Sequence, residues 1–302
     1  MTWLLSIAGA VLIGVALLDI FRTLWHPRGL GGVARAIFTV TWRLTRPLSR
    51  GSRSSELSGP LALVITVTVW TAMVVLGWAL IYLPHLPEGF NYSSSLDPAR
   101  SSGLVAAIYI SFVFVATLGL GDIVPEASWL RLLVPLQALV GFVLLTAAIS
   151  WILQLYPALG RRRALARRLS ALACAQTREV VSSGEVSVAA SLLDGVTEGV
   201  IQVQVDLLQY GESYFFREER AANSLAATSG VLLDLIDAGR AASSPEVRHA
   251  AEVLNTAVDD LSTAVATQYP HLDDNAADDP VAVMGAFARD HQHEPIRFAD
   301  GP

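Results

Sequence analysis

The chain has 302 residues, of which 53% are hydrophobic and 16% charged, with a mean hydropathy of +0.48. That balance is too apolar for an ordinary soluble protein and places the chain in the membrane class. The net charge of −6 is unevenly spread: residues 1–157 carry nine Arg against six acids, and residues 158–302 twelve Arg against twenty-one. An apolar half therefore precedes an acidic, water-facing half. The single cysteine, Cys174, excludes an intrachain disulfide and a cysteine-rich metal site. No paired carboxylates, nucleophile–base pair or phosphate loop stands in a suitable setting, so neither an enzyme nor a cofactor is expected, and no nucleic-acid partner.

The first apolar run, Thr2 to Leu18, continues through Ile20, Phe21 and Leu24 past Asp19 and Arg22. A signal peptide places its positive charge before the apolar stretch, whereas here Arg follows it, so a retained transmembrane helix over residues 1–24 is expected. Asp19 and Arg22 stand three apart on one helix face and are expected to meet headgroups, water or each other.

Residues 25–58 hold six Arg and one acid, Glu56, which the positive-inside rule assigns to the cytoplasm. Val33, Ile37, Val40 and Leu44 recur at helical spacing, which predicts an amphipathic helix on the inner membrane face, with Trp42 as an interface anchor. Leu61 to Leu83 is a charge-free run of 23 residues, ample for a crossing. The polar, turn-rich residues 84–102 read as an outer loop, with Ser101 or Ser102 capping a short helix that begins near Leu104.

Thr117-Leu118-Gly119-Leu120-Gly121-Asp122 lies between an apolar run of 13 residues, Leu104 to Ala116, and one of 27, Trp129 to Leu155. The first is too short to cross a bilayer and the second is long enough. A short helix, a glycine-bearing turn and a full span read as a re-entrant pore loop, because irregular backbone at membrane depth is tolerated only where protein buries it or water reaches it. The long span is expected to end at Tyr156-Pro157, before Arg161, Arg162, Arg163, Arg167 and Arg168. Both Arg-rich flanks then share one side, giving three crossings with the N-terminus outside and the C-terminus in the cytoplasm, in the plasma (inner) membrane.

Residues 158–302 read as an acidic helical cytoplasmic domain with helices near 161–181, 185–209, 212–228, 245–268 and 280–290, broken at glycines such as Gly211 and Gly230. Asp273 to Asp279 reads as a solvated acidic turn, and His291 and His293 as part of a flexible tail. The fold class is thus an all-α membrane protein: three transmembrane helices plus a re-entrant pore helix and filter, then a helical domain. The domains run 1–24, 25–58, 59–157 and 158–302.

From Ser111 to Pro125 the chain resembles the pore region of the potassium-channel family, which carries a pore helix, a T-V-G-Y-G-D type filter and a nearby proline. The resemblance covers about Leu61 to Pro157, in the order outer helix, pore helix, filter, inner helix. It implies one pore loop per chain and hence a homotetramer around one axis. It also implies that the carbonyls of Thr117, Leu118, Gly119 and Leu120, with Gly121 completing the turn, line a path for potassium, and that the Thr117 hydroxyl adds an innermost site. Asp122 would stand at the outer mouth. Gly141, twenty residues past Gly121, is either the family's inner-helix hinge or a site of close helix packing. Leu145, Ile149 and Leu153 below it would line the cavity and gate.

The sequence departs from the family pattern at Leu120, where the filter aromatic is usual, and at Ala116, Ile110 and Val113. A filter held by packing rather than by hydrogen bonds implies potassium selectivity weaker than usual. The Arg161–Arg168 cluster satisfies the topology and, on a further reading, binds anionic lipid. No transmembrane run carries Arg at every third position, so a voltage sensor is not expected. A weakly selective cation channel, or a non-conducting sensor or scaffold with a vestigial pore, are the other readings.

Overall fold

In the computed structural model, the described residues are 2–25, 30–46, 57–98, 102–269 and 279–298. The protein is all-α. Its helices are α1 (Thr2–Leu24), α2 (Gly32–Thr45), α3 (Ser58–Tyr82), α4 (Leu104–Val115), α5 (Ser128–Cys174), α6 (Thr177–Ser183), α7 (Val186–Gln209), α8 (Leu225–Arg240), α9 (Pro245–Gln268) and α10 (Pro280–Asp290). Two three-residue strands, β1 (Phe90–Tyr92) and β2 (Ile123–Pro125), pair antiparallel with Tyr92 opposite Ile123.

The helices divide into two compact units. The first holds α1, the start of α2 through Ile37, α3 from Ala62, both strands, α4, and α5 through Leu153. Its core gathers Ile13 and Ala16 of α1, Val74, Trp78 and Tyr82 of α3, Ile110, Val113 and Phe114 of α4, and Leu130 of α5. The extra helix α1 crosses α3 closely: a Cβ on Gly9 would stand 2.3 Å from the Gly77 carbonyl oxygen. Small residues permit that approach where lipid supplies no hydrophobic drive for packing.

Helix α2 has two apolar faces. Ala34, Phe38 and Trp42 are buried, while Val40 and Leu44 of the predicted stripe are exposed. Trp42, expected as an interface anchor, is instead a core residue; its indole Nε1 donates to Asp290 at 3.0 Å. A buried indole N–H needs a partner, and a carboxyl 248 residues away in sequence was not visible as one.

Helix α5 continues through Tyr156-Pro157 to Cys174 as one 47-residue helix, where the sequence predicted a stop. Arg161 to Arg168 therefore extend the inner helix and bind within the second unit. Arg161 pairs with Asp206 through two bonds of 2.6 and 2.7 Å, and Arg162 donates to the carbonyls of Ser213 and Phe216. Arg163 meets Glu218, Arg167 reaches Asn223 at 3.4 Å, and Arg168 donates to the Gly195 carbonyl at 2.6 Å. These internal partners offset the helical hydrogen bond that Pro157 cannot donate within α5.

The predicted helix 212–228 is absent. Short 3₁₀ turns occupy Gly211–Phe215 and Ala221–Asn223, and α8 starts at Leu225 with Ser224 as its cap and runs through Gly230. Gly230 is a packing residue, since a Cβ there would lie 2.4 Å from the Ile296 carbonyl. Among the described residues, four helices are long and apolar enough to cross a membrane by length and composition; the fourth is Val186–Gln209. Its apolar residues Leu193, Val196, Val200, Val203 and Leu207 form one buried face, and it also carries Asp194, Glu198 and Asp206. Packing on α9 accounts for that apolarity.

The C-terminal segment is not a loose tail through residue 298. Asp279 caps α10, and His291 lies in a cage of Trp42, Tyr214 and Phe287 rings at 5.0, 4.9 and 4.7 Å. Asp273 to Asp278 fall outside the described residues. Asp290 accepts from Tyr214 Oη at 2.6 Å as well as from Trp42, and Arg217 stacks 3.8 Å over the Trp42 ring.

Burial holds the His291 imidazole well below its ordinary pKa; the nearby Arg162, Arg217 and His293 act in the same direction and Asp290 against it. The unfolded chain then binds a proton that the folded one refuses, so stability rises with pH across the window below about 6.5, by up to about 1.4 kcal/mol per pH unit. Amide exchange in α10, corrected for intrinsic rate, should therefore accelerate from pH 7 to 5. His291→Phe should flatten that dependence.

Candidate conduction site

The pore helix α4 begins after Gly103, whose φ of +105° marks the turn into it. Gly103 is the cap residue, with no side-chain cap bond, in place of the expected Ser102; Ser101 lies outside the described residues. The helix ends at Val115, and its last turn holds the start of the loop: Thr117 N–H donates to the Phe114 carbonyl at 3.1 Å and Leu118 N–H to the Val113 carbonyl at 2.9 Å.

From there the backbone alternates. Thr117, Gly119 and Gly121 have φ of +56°, +54° and +77°, whereas Leu118 and Leu120 are not among the positive-φ residues. Alternation of hand along a strand turns successive carbonyls toward one side, and glycine adopts the left-handed half without cost. Thr117 does so against a preference of about 1–2 kcal/mol. All five residues from Thr117 to Gly121 are exposed in the single chain.

The outer end of this segment is fastened on three sides. Asp122 Oδ2 accepts from Tyr109 Oη at 2.5 Å, Asp122 Oδ1 from the Ile123 amide at 3.0 Å, and the Asp122 carbonyl from the Ser93 amide at 2.8 Å. The pairing of β1 with β2 follows immediately. Tyr109 went unnoticed in the sequence; a tyrosine on the pore helix thirteen residues before the acid was the available signal. Ile110 and Val113 are buried in the core, and Leu120 is 60% exposed.

Behind the pore helix lies a polar network that the sequence reading also missed. Gln137, fully buried on α5, donates from Nε2 to the Ser111 carbonyl at 2.9 Å and to Ser111 Oγ at 2.8 Å. Its Oε1 accepts from Tyr82 Oη at 2.6 Å, and Ser111 Oγ donates to the Val75 carbonyl at 2.8 Å. An amide in the middle of an apolar span was the signal to follow.

Gly141 sits one turn beyond Gln137. The helix is unbroken there, and a Cβ would stand 2.1 Å from the Val115 carbonyl oxygen. Leu145, Ile149 and Leu153 follow on α5, each more than half exposed, together with Leu132, Leu136, Leu139 and Phe142.

Asp19 is buried and does not pair with Arg22. Its Oδ1 accepts from the Val33 amide at 2.8 Å, and its Oδ2 from the Ala34 amide at 3.1 Å and from Trp70 Nε1 at 2.8 Å. The carboxyl thus caps the N-terminus of α2, where a helix presents unpaired N–H groups. Trp70 in turn lies 5.3 Å from the Trp151 ring, on the inner helix between Ile149 and Leu153.

Residues 68–156, which contain every part of this loop, match the family model described as an ion channel. Over that stretch the chain is similar to ion channels. An uncharacterized membrane protein, YdjJ of Bacillus subtilis (strain 168), is 29% identical over 169 residues, covering 55% of this chain and 48% of that protein. The chain therefore spans about half the length of the curated relative it matches. No solved structure matches it.

Replacing Asp19 by Leu leaves two amides and an indole N–H without acceptors in an apolar setting, a loss on the order of 3 kcal/mol. Thermal unfolding in detergent should show Asp19→Leu clearly destabilised and Asp19→Asn, which keeps one acceptor oxygen, less so. Equal stability of wild type and Asp19→Leu would contradict the capping role.

Proposed function

We propose that the protein is a passive, potassium-selective channel of four identical chains, with Thr117 to Gly121 as the selectivity filter. The observation that carries this reading is the alternating backbone of Thr117, Gly119 and Gly121, exposed on a single chain above a helix face that is itself apolar and exposed. A cation gives up its hydration shell only if a ring of oxygens replaces it, and one chain supplies one quarter of such a ring. Four copies around an axis complete it and cover Leu132, Leu136, Leu139 and Phe142.

In this reading the carbonyls of Thr117, Leu118, Gly119 and Leu120 coordinate potassium, the Thr117 hydroxyl adds the innermost site, and Asp122 concentrates cations at the outer mouth. Leu145, Ile149 and Leu153 line the cavity and gate, and Gly141 allows close helix approach or bends there. Potassium is the permeant species, no cofactor takes part, and the protein conducts rather than catalyses. The crossings are α1, α3 and α5, with the Arg-rich flanks and the second unit on the cytoplasmic side of the plasma membrane. Arg161, Arg162, Arg163, Arg167 and Arg168 of α5 are engaged within the second unit, so a lipid role is not assigned to them.

Leu120 in place of a hydrogen-bonding aromatic supports a second, neighbouring reading, a monovalent cation channel of modest selectivity. Potassium flux into liposomes holding the purified protein tests the proposal. Wild type should take up potassium, and Gly119→Asp, which places a side chain at φ +54°, should not. Equal uptake by both, or by neither, would contradict the filter assignment.

A further inference from the structure

The pore helix of this chain carries Ile110 and Val113, both apolar and buried, so neither can fasten the filter by a hydrogen bond. Besides the Tyr109–Asp122 bond at the outer end, the polar contact of this helix is made by Ser111, next to Ile110. Gln137 of α5 spends both observed amide donations on Ser111 of α4, and its oxygen accepts from Tyr82 of α3. Ser111 passes the connection on to the Val75 carbonyl of α3. One side chain thus ties the inner, pore and outer helices together.

The register of these contacts bears on the filter. Gln137 meets Ser111, and Gly141, four residues on, meets Val115, also four residues on. The two helices are latched at two successive turns. Between those turns lie Val113 and Phe114, whose carbonyls accept the amides of Leu118 and Thr117. A shift of α5 at Gln137 is therefore delivered to the first two filter residues through one turn of helix.

We propose that Gln137 is a positioning residue for conduction: by bonding Ser111 and Tyr82 it fixes the pore helix against the inner helix and so sets the spacing of the filter carbonyls. This rests on the channel reading above. Gln137 does not touch the permeating ion; it acts through Ser111. The network occupies the centre of the first unit, away from solvent, where losing one partner leaves the others without water to replace it.

The test is the potassium-to-sodium permeability ratio of purified, reconstituted Gln137→Met, compared with Tyr82→Phe and with wild type, each checked for an intact oligomer by size-exclusion chromatography. Gln137→Met keeps length and removes all three bonds, whereas Tyr82→Phe removes only the bond to Oε1 and keeps the ring. The expected result is a ratio lowered about tenfold in Gln137→Met, equivalent to about 1.4 kcal/mol, and lowered less in Tyr82→Phe, with conduction retained in both. If Gln137→Met does not assemble, a lowered ratio in Tyr82→Phe supports the proposal and an unchanged one overturns it. Assembled variants that conduct with the wild-type ratio, differing only in melting temperature, also overturn it. A wild type that conducts nothing removes the channel reading itself, which separates the two failures.

Discussion

An irregular backbone inside a membrane has to satisfy its own polar groups, and the rest of the first unit follows from that constraint. Thr117 to Gly121 form neither helix nor sheet. Their first amides close onto the end of α4, and their outer end is held by Tyr109, the Ser93 amide and the pairing of β1 with β2. What remains unpaired within one chain is the row of carbonyls that an ion would use. In the proposed tetramer, neighbouring copies would cover Leu118 and Leu120 and hold the strained Thr117.

Buried carboxyls fix α2 in the same manner within each unit. In the first, Asp19 caps the helix start and takes the Trp70 indole. In the second, Asp290 takes the Trp42 indole and the Tyr214 hydroxyl, while burial and the neighbouring Asp290 push the Tyr214 phenol well above its ordinary pKa and keep it a donor. Each carboxyl is stable because several donors converge on it, which compensates for the loss of water. Asp19 was expected to meet headgroups, water or Arg22, and its partners are instead two backbone amides and an indole N–H.

Much of the architecture was legible because membrane crossings are written as long apolar runs. α1, α3, α4 and the start of α5 begin and end close to where apolar length and Arg flanks place them. The loop from Thr117 to Asp122 was legible because glycine at alternate positions between a short and a long run has few other uses. The sequence failed where a polar group found its partner far along the chain. Asp19 with Val33 and Ala34, Trp42 with Asp290, and Gln137 with Ser111 and Tyr82 are separated by 14 to 248 positions, and no local pattern links them. Proline and glycine also misled: Pro157 sits inside α5 and Gly230 inside α8, because tertiary partners outweighed the local preference to stop.

The central question is whether the carbonyls of Thr117, Leu118, Gly119 and Leu120 form a path that prefers potassium. The most direct measurement is the reversal potential of currents through the purified protein in a planar bilayer, with potassium on one side and sodium on the other. The expected current reverses nearer the potassium equilibrium potential, displaced by less than a strongly selective filter would give. A reversal potential that tracks sodium as closely as potassium would contradict it.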